Sequence, residues 1–220
     1  MRHFSKVCLV STFALFMSAV LPAACPGFLE NYAQLRPGKY VEKYYFNNQA
    51  LREKGYVILA VKEIDVTRIK NSSGLKPEEA ANYLRRELQA AARQSQIERF
   101  FVFEWNDQTP VQAVLEVAIT EQSSGDRLMR FIGPLLGLGQ AYFRVEGRVR
   151  DLQSNHVIAS FTDHKSSKAI WPLRDFGQDG GVVMLKEMYL NVSDEIIKEI
   201  GDSFGYLPET LKDGLPFKYH

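Results

Sequence analysis

Three residues in the last third of the chain, His156, Asp163 and His164, have side chains that hold metal ions or move protons. Close spacing makes a metal site or an acid–base pair conceivable. His156 falls in a turn and His164 just past a strand, however, so two surface histidines are the simpler reading. A zinc protease carries H-E-x-x-H and a serine hydrolase G-x-S-x-G; neither string occurs. A second candidate is "FIGPLLGLGQAYF", with Gly133, Gly137 and Gly139. A phosphate-cradling P-loop needs Lys and then Ser or Thr after its last glycine, and here Gln140 follows. A dinucleotide loop needs a third glycine where Tyr142 stands. Neither template fits, and no cofactor is expected. What is unusual is that Phe131, Ile132, Leu135, Leu136 and Leu138 are more apolar than a loop requires. They form either a buried connection between strands or an exposed patch for a membrane or partner. A third stretch, "TDHKSSKAIWPLRD", sets Lys165, Lys168 and Arg174 around Trp171. It offers a contact for phosphate or glycan, or simply an aromatic docked on the domain.

The fourth reactive group is a thiol. The chain opens "MRHFSK", with Arg2 and Lys6 and no acid, followed by an apolar run from Val7 to Leu21. A cationic start, a short apolar stretch and small residues at its end describe a secretory signal peptide, expected over residues 1–24. Pro22 ends the run before the ~20 residues that a membrane-spanning helix needs. Of the two cysteines, Cys8 leaves with the signal, and Cys25 is left as one thiol in an oxidising compartment. Its setting, "LPAAC", resembles the lipobox of bacterial lipoproteins, in which the cysteine becomes the first mature residue and carries lipid. The family's usual Leu three places before the cysteine is Pro22 here, with Leu21 one place too early. The alternative is ordinary cleavage near Ala24, leaving a non-lipidated periplasmic domain. Pro26 stands where Asp would mark retention in the inner membrane, so the resemblance implies the periplasmic face of the outer membrane.

Charge and composition narrow the partners. The whole chain has 27 Lys and Arg against 26 Asp and Glu; loss of Arg2 and Lys6 turns a formal +1 into −1. A near-neutral chain with no basic block lacks the footprint of a nucleic-acid binder. The hydrophobic share of 45% supports a real core.

The elements that must position these residues follow from periodicity. Residues 25–55 read as an amino-terminal arm with no steady period, docked by aromatics such as Phe28, Tyr32, Tyr44, Tyr45 and Phe46. "GYVILAVKEIDV" is the first strand. Pro77, Glu78 and Glu79 then open a helix of about 18 residues, with Ala80, Leu84, Leu88 and Ala91 or Ala92 on one face. "RFFVFEW", "PVQAVLEVAITEQ", "QAYFRVEGRVRDL" and "HVIASF" are four further strands. In the third of these, Phe143, Val145 and Val149 point one way and Arg144, Glu146, Arg148 and Arg150 the other. A last helix runs from about Gly181 to Phe204, with Gly205 as its stop. Residues 206–220 read as a loose tail. The predicted domain, residues 56–205, is α+β with two layers. It has a mostly antiparallel sheet of about five strands packed on two amphipathic helices, in the order β-α-β-β-β-β-α.

"GFLENYAQLRPG" after the cysteine and "YFRVEGRVRDLQSNHVIASF" further on resemble an uncharacterised family of short bacterial lipoproteins. Their shared start is GFL-x-x-Y-x-x-L-x-P. The resemblance implies a fold akin to the amino-terminal domains of CsgG, LpoB and TolB, and an envelope accessory protein without catalytic residues. The expected partners are the membrane, through a lipid such as palmitate on Cys25, and an envelope protein or a second copy of the chain. The rival expectation is a periplasmic hydrolase whose site is assembled from scattered residues.

Overall fold

The computed structural model describes residues 27–54, 58–105, 109–125, 140–167 and 180–212. Long strands at the centre set the frame: β6 (Ala113–Ser123), β7 (Tyr142–Asp151) and β8 (Val157–Ser166). β7 is antiparallel to both neighbours. Around them lie five short strands: β1 (Arg36–Pro37), β2 (Lys43–Phe46), β3 (Leu59–Val61), β4 (Lys70–Ser72) and β5 (Phe101–Val102). Among the described residues the sheet has eight strands, in the order β1-β2-β8-β7-β6-β3-β5, with β4 also on β6.

The sheet is larger than the five strands expected. It is mostly antiparallel, as expected, with a parallel part: β3 and β4 run parallel to β6, and β5 runs parallel to β3. The extra strands are two to four residues long, too short to show an alternation. They exist because β6 and β8 offer unpaired backbone N–H and C=O groups, which are costly to leave unmet. Residues expected in an irregular arm supply β1, β2 and α1 (Asn48–Lys54). The first expected strand is only Leu59–Val61, followed by a single bridge from Asp65 to Ala118.

Helices cover one face. α2 (Pro77–Gln94) starts at its proline, has Glu78 and Glu79 in its first turn and Arg93 in its last, and buries Ala80, Leu84, Leu88, Ala91 and Ala92. Charges of those signs at those ends oppose the helix dipole favourably. α3 (Gly180–Ser203) buries Leu185, Met188, Val192, Ile196 and Ile200. α2 and α3 lie side by side, with the rings of Tyr83 and Tyr189 5.6 Å apart. α3 stops where expected. Gly205 has φ +72°, and Tyr206 N–H donates to Gly201 O at 2.7 Å while Gly205 N–H donates to Asp202 O at 3.1 Å. That is a Schellman closure, which needs a left-handed residue that glycine supplies without strain. Residues 206–212, expected in a loose tail, are ordered on the domain: Tyr206 and Leu207 are buried, Tyr206 stacks on Phe100 at 4.1 Å, and α4 (Glu209–Lys212) follows.

The alternation read in β7 holds. Phe143, Val145, Gly147 and Val149 face the helices, and Arg144, Arg148 and Arg150 face away with Glu146. Gly147 is opposite Phe161, whose ring lies over it and would collide with any Cβ there. Among the described residues no α-helix is packed on the charged side of the central strands, which carries only a short 3-10 turn, Tyr32–Gln34. The amino-terminal segment that holds this turn crosses that side.

Candidate functional site: the amino-terminal clamp and its cleft

"GFLENY", the start of the lipoprotein-like motif, is fastened to the charged face of the sheet. Glu146 is the centre of the clamp. One of its oxygens, Oε2, accepts from the backbone N–H of Phe28 at 3.2 Å and from the hydroxyl of Tyr32. Tyr32 is pushed up to about 12, first by burial and then by that carboxylate, so it keeps its proton and goes on donating. Arg148 holds the segment in two ways. Its guanidinium lies 4.9 Å from the Phe28 ring centroid, and its Nη1 donates to Glu30 Oε1 at 3.0 Å. Arg150 Nη2 reaches the same Glu30 oxygen at 3.0 Å. Arg68 Nη1 donates to the carbonyl of Gly27 at 2.8 Å, fixing the first described residue. Leu29 and Leu35 are buried beneath the segment.

Beside the clamp is a cleft of about 750 Å³, floored by β6 and walled by the β3–β4 connection. Its charged lining is Glu30, Lys62, Glu63, Asp65, Arg68, Glu116 and Arg148. Glu116 is the one a general acid would have to resemble. Burial alone would raise its carboxyl. Hydrogen bonds from Lys62 Nζ and Arg148 Nε, each 2.7 Å, outweigh burial and hold it below the usual carboxylate range. A carboxylate held ionised by two cations is a poor proton donor. Among the described residues no Ser, Cys or His lines this cleft, and its one phenol, Tyr32, is turned to Glu146.

The clamp gives an expected result. Glu146→Ala removes the acceptor for one part-buried backbone N–H and for the hydroxyl of Tyr32. The loss is about 1 kcal/mol of stability, the net worth of hydrogen bonds whose donors water can partly reach. Amide exchange then accelerates first over Phe28 to Leu35. Uniform acceleration across the whole domain would instead mean that the segment is not a separate docking unit.

The histidine cluster does not assemble. Asp163 points at the helices and is 1% exposed, His164 lies on the opposite face beside Tyr142, and His156 is exposed in the β7–β8 turn. Among the described residues no group of three His, Cys, Asp or Glu is placed to hold a metal ion. Asp163 has other partners. Its Oδ1 accepts from Glu42 N–H at 3.2 Å and from His164 N–H at 3.0 Å. Lys165, on the same face of β8, stands 3.5 Å from Asp163 Oδ2 and 2.5 Å from Glu195 Oε2 on α3. Burial, then the carboxyl of Asp163, push Glu195 up to about 7, against the pull of Lys165. This carboxyl holds its proton to higher pH than a free glutamate does, and it lies outside the cleft.

Its titration has a defined sign. The unfolded chain releases this proton near 4.5, the folded chain near 7. Stability from the retained proton is therefore full below about 4.5 and is lost as the pH rises through about 7. The group is partly solvated, so the effect is about 1 kcal/mol rather than the full linkage value. Urea midpoints should fall from pH 5 to 8, and Glu195→Gln should flatten that decline relative to the parent chain. An unchanged slope in the variant would assign it to other groups.

Cys25, Phe131, Ile132, Leu135, Leu136, Leu138 and Trp171 lie outside the described residues, as do Lys168 and Arg174. Sequence reasoning missed Glu146, Arg148 and Glu116 as a unit. Their one visible signal is the row of charges on one side of β7, which shows neither the partner strand's Glu116 nor the distant segment that Glu146 and Arg148 hold.

No family model matches the chain, and no curated protein sequence matches it. Solved structures similar to it include the PelC dodecamer from Paraburkholderia phytofirmans, at 15% identity over 62% of this chain and 86% of that one, with a TM-score of 0.39. Another is a DUF330 protein from Xanthomonas campestris, at 10% identity over 68% and 86%, TM-score 0.42. A third is a candidate lipoprotein from Caulobacter crescentus, at 10% identity over 73% and 97%, TM-score 0.36. Scores this low assign no role, and the clamp and cleft stand on this chain's own residues.

Proposed function

We propose that this chain is a lipid-anchored, non-catalytic domain of the bacterial envelope. It is held at the periplasmic face of the outer membrane through Cys25, and it binds an envelope partner or a second copy of itself. The kinship with the amino-terminal domains of CsgG, LpoB and TolB belongs to this proposal. One observation carries it. The segment that begins two residues after Cys25 is fastened to the sheet by Glu146, Arg148, Arg150 and Arg68. A folded body bolted to its own amino terminus suits an anchor that must bear the domain. The cleft supports the same reading, because its central carboxylate is already committed to Lys62 and Arg148.

The test has two arms. Mass spectrometry of the mature chain from the host envelope should find a first residue Cys25 carrying acyl groups, and Cys25→Ser should move the protein to the soluble periplasmic fraction. An unmodified thiol at 25, or a different first residue, refutes the anchor. Crosslinking and pull-down in intact cells should recover a partner or an oligomer. Turnover of a wall or lipid substrate by the purified chain would replace this reading with a hydrolase.

A further inference from the structure

We infer that the charged face of the sheet, with the clamp and cleft, lies against the lipid headgroups, and that α2 and α3 face away from the membrane. This rests on acylation of Cys25. The reach of the tether sets the orientation. Gly27 is held by Arg68 Nη1 at 2.8 Å and Phe28 by Glu146 at 3.2 Å, both on the charged side of the sheet. From Gly27 back to Cys25 is two residues, at most about 7 Å of chain. An acylated cysteine sits where the acyl chains begin, at the base of a headgroup layer roughly 5–7 Å thick per leaflet. Tether and layer are therefore of one size, and Gly27 is drawn to the membrane surface. The domain itself has a radius of gyration of about 16 Å. A body that large on a tether that short cannot roll over. The side from which the tether leaves must be the side that meets the bilayer.

The chemistry of that side is compatible with headgroups. Next to Gly27 are Arg68 and Lys62, with Lys70 beyond them; all three are exposed, and they alternate with Glu63 and Asp65. Mixed charge suits a zwitterionic surface. Lys62 and Lys70 are each neutralised in part, by Glu116 at 2.7 Å and Glu121 at 3.9 Å, so the surface has no strong pull of its own toward anionic lipid. Orientation then comes from the tether.

The experiment uses the full chain, made with its signal sequence, purified with its lipid and reconstituted in phosphatidylethanolamine–phosphatidylglycerol vesicles. Glu63→Cys reports from the cleft wall, and Asn82→Cys from the exposed side of α2. Each carries a nitroxide, and a nickel-chelating lipid supplies relaxation at the headgroups. Relaxation should be severalfold stronger at 63 than at 82. Equal signals at the two positions, with the protein vesicle-bound, overturn the orientation. Failure of both variants to bind vesicles, with a free thiol at 25, overturns the anchor instead, so the two failures are separable. A Gly/Ser linker of about ten residues after Cys25 extends the reach to roughly 17 Å. It should abolish the contrast while leaving the chain bound; a contrast that survives the linker refutes the tether as its cause.

Discussion

Phe143→Ala lowers the stability of the domain by about 3–5 kcal/mol, the range for removing a fully buried aromatic ring. Phe143 is 0% exposed near the start of β7 on the sheet's inner face, and the Tyr189 ring of α3 lies 4.3 Å from it. The cavity left behind cannot close. β7 is held by both neighbouring strands, and α3 is held at Tyr189, whose hydroxyl donates to Gln122 Oε1 at 2.5 Å. Denaturant titration measures the loss, and Phe143→Leu should recover most of it because volume is largely kept. A loss below about 1 kcal/mol would mean that the site relaxes freely, contrary to the packing of α3 on the sheet.

Glu199→Ala has the second largest effect, about 2–3 kcal/mol, the scale of charge-assisted hydrogen bonds left without an acceptor. Glu199 is almost buried on α3, and its Oε2 accepts from the N–H groups of Tyr40 at 2.5 Å and Val41 at 3.1 Å. It holds the turn between β1 and β2. Without it the hairpin loosens from β8, which β2 otherwise covers from Lys43 to Phe46. An uncovered strand edge pairs with other chains. The variant should therefore both lose stability and aggregate in proportion to concentration. Glu199→Gln, which keeps one acceptor oxygen, should restore part of the stability. If alanine and glutamine behave alike, the carboxylate is not what holds the turn.

Signals confined to a few neighbouring residues were legible from composition and spacing. α2 was visible in full, because its proline, its charged ends and its apolar stripe all fall within one stretch of chain. Gly205 was visible because only a left-handed residue ends a helix that way. The three long strands were visible from their apolar alternation. The breaks in that alternation were not. A bulge between Ile119 and Glu121 turns Gln122 inward to meet Tyr189. On β8 the inward face continues past Phe161 into Asp163 and Lys165, which are charged. The expected strand stopped at Phe161 for that reason, and Asp163 was set beside two histidines that it does not meet.

Local sequence thus determined the two amphipathic helices and the central strands. Each depends on contacts within a turn of helix or along one strand. The tertiary structure alone decided that the sheet is mixed, that residues 36–46 join it, and that a clamp exists. Phe28 and Glu146 are separated by 118 residues of chain, Tyr40 and Glu199 by 159. No periodicity spans such a distance. Those partners are chosen by which buried donors would otherwise have no acceptor, and that becomes definite only once the sheet has formed.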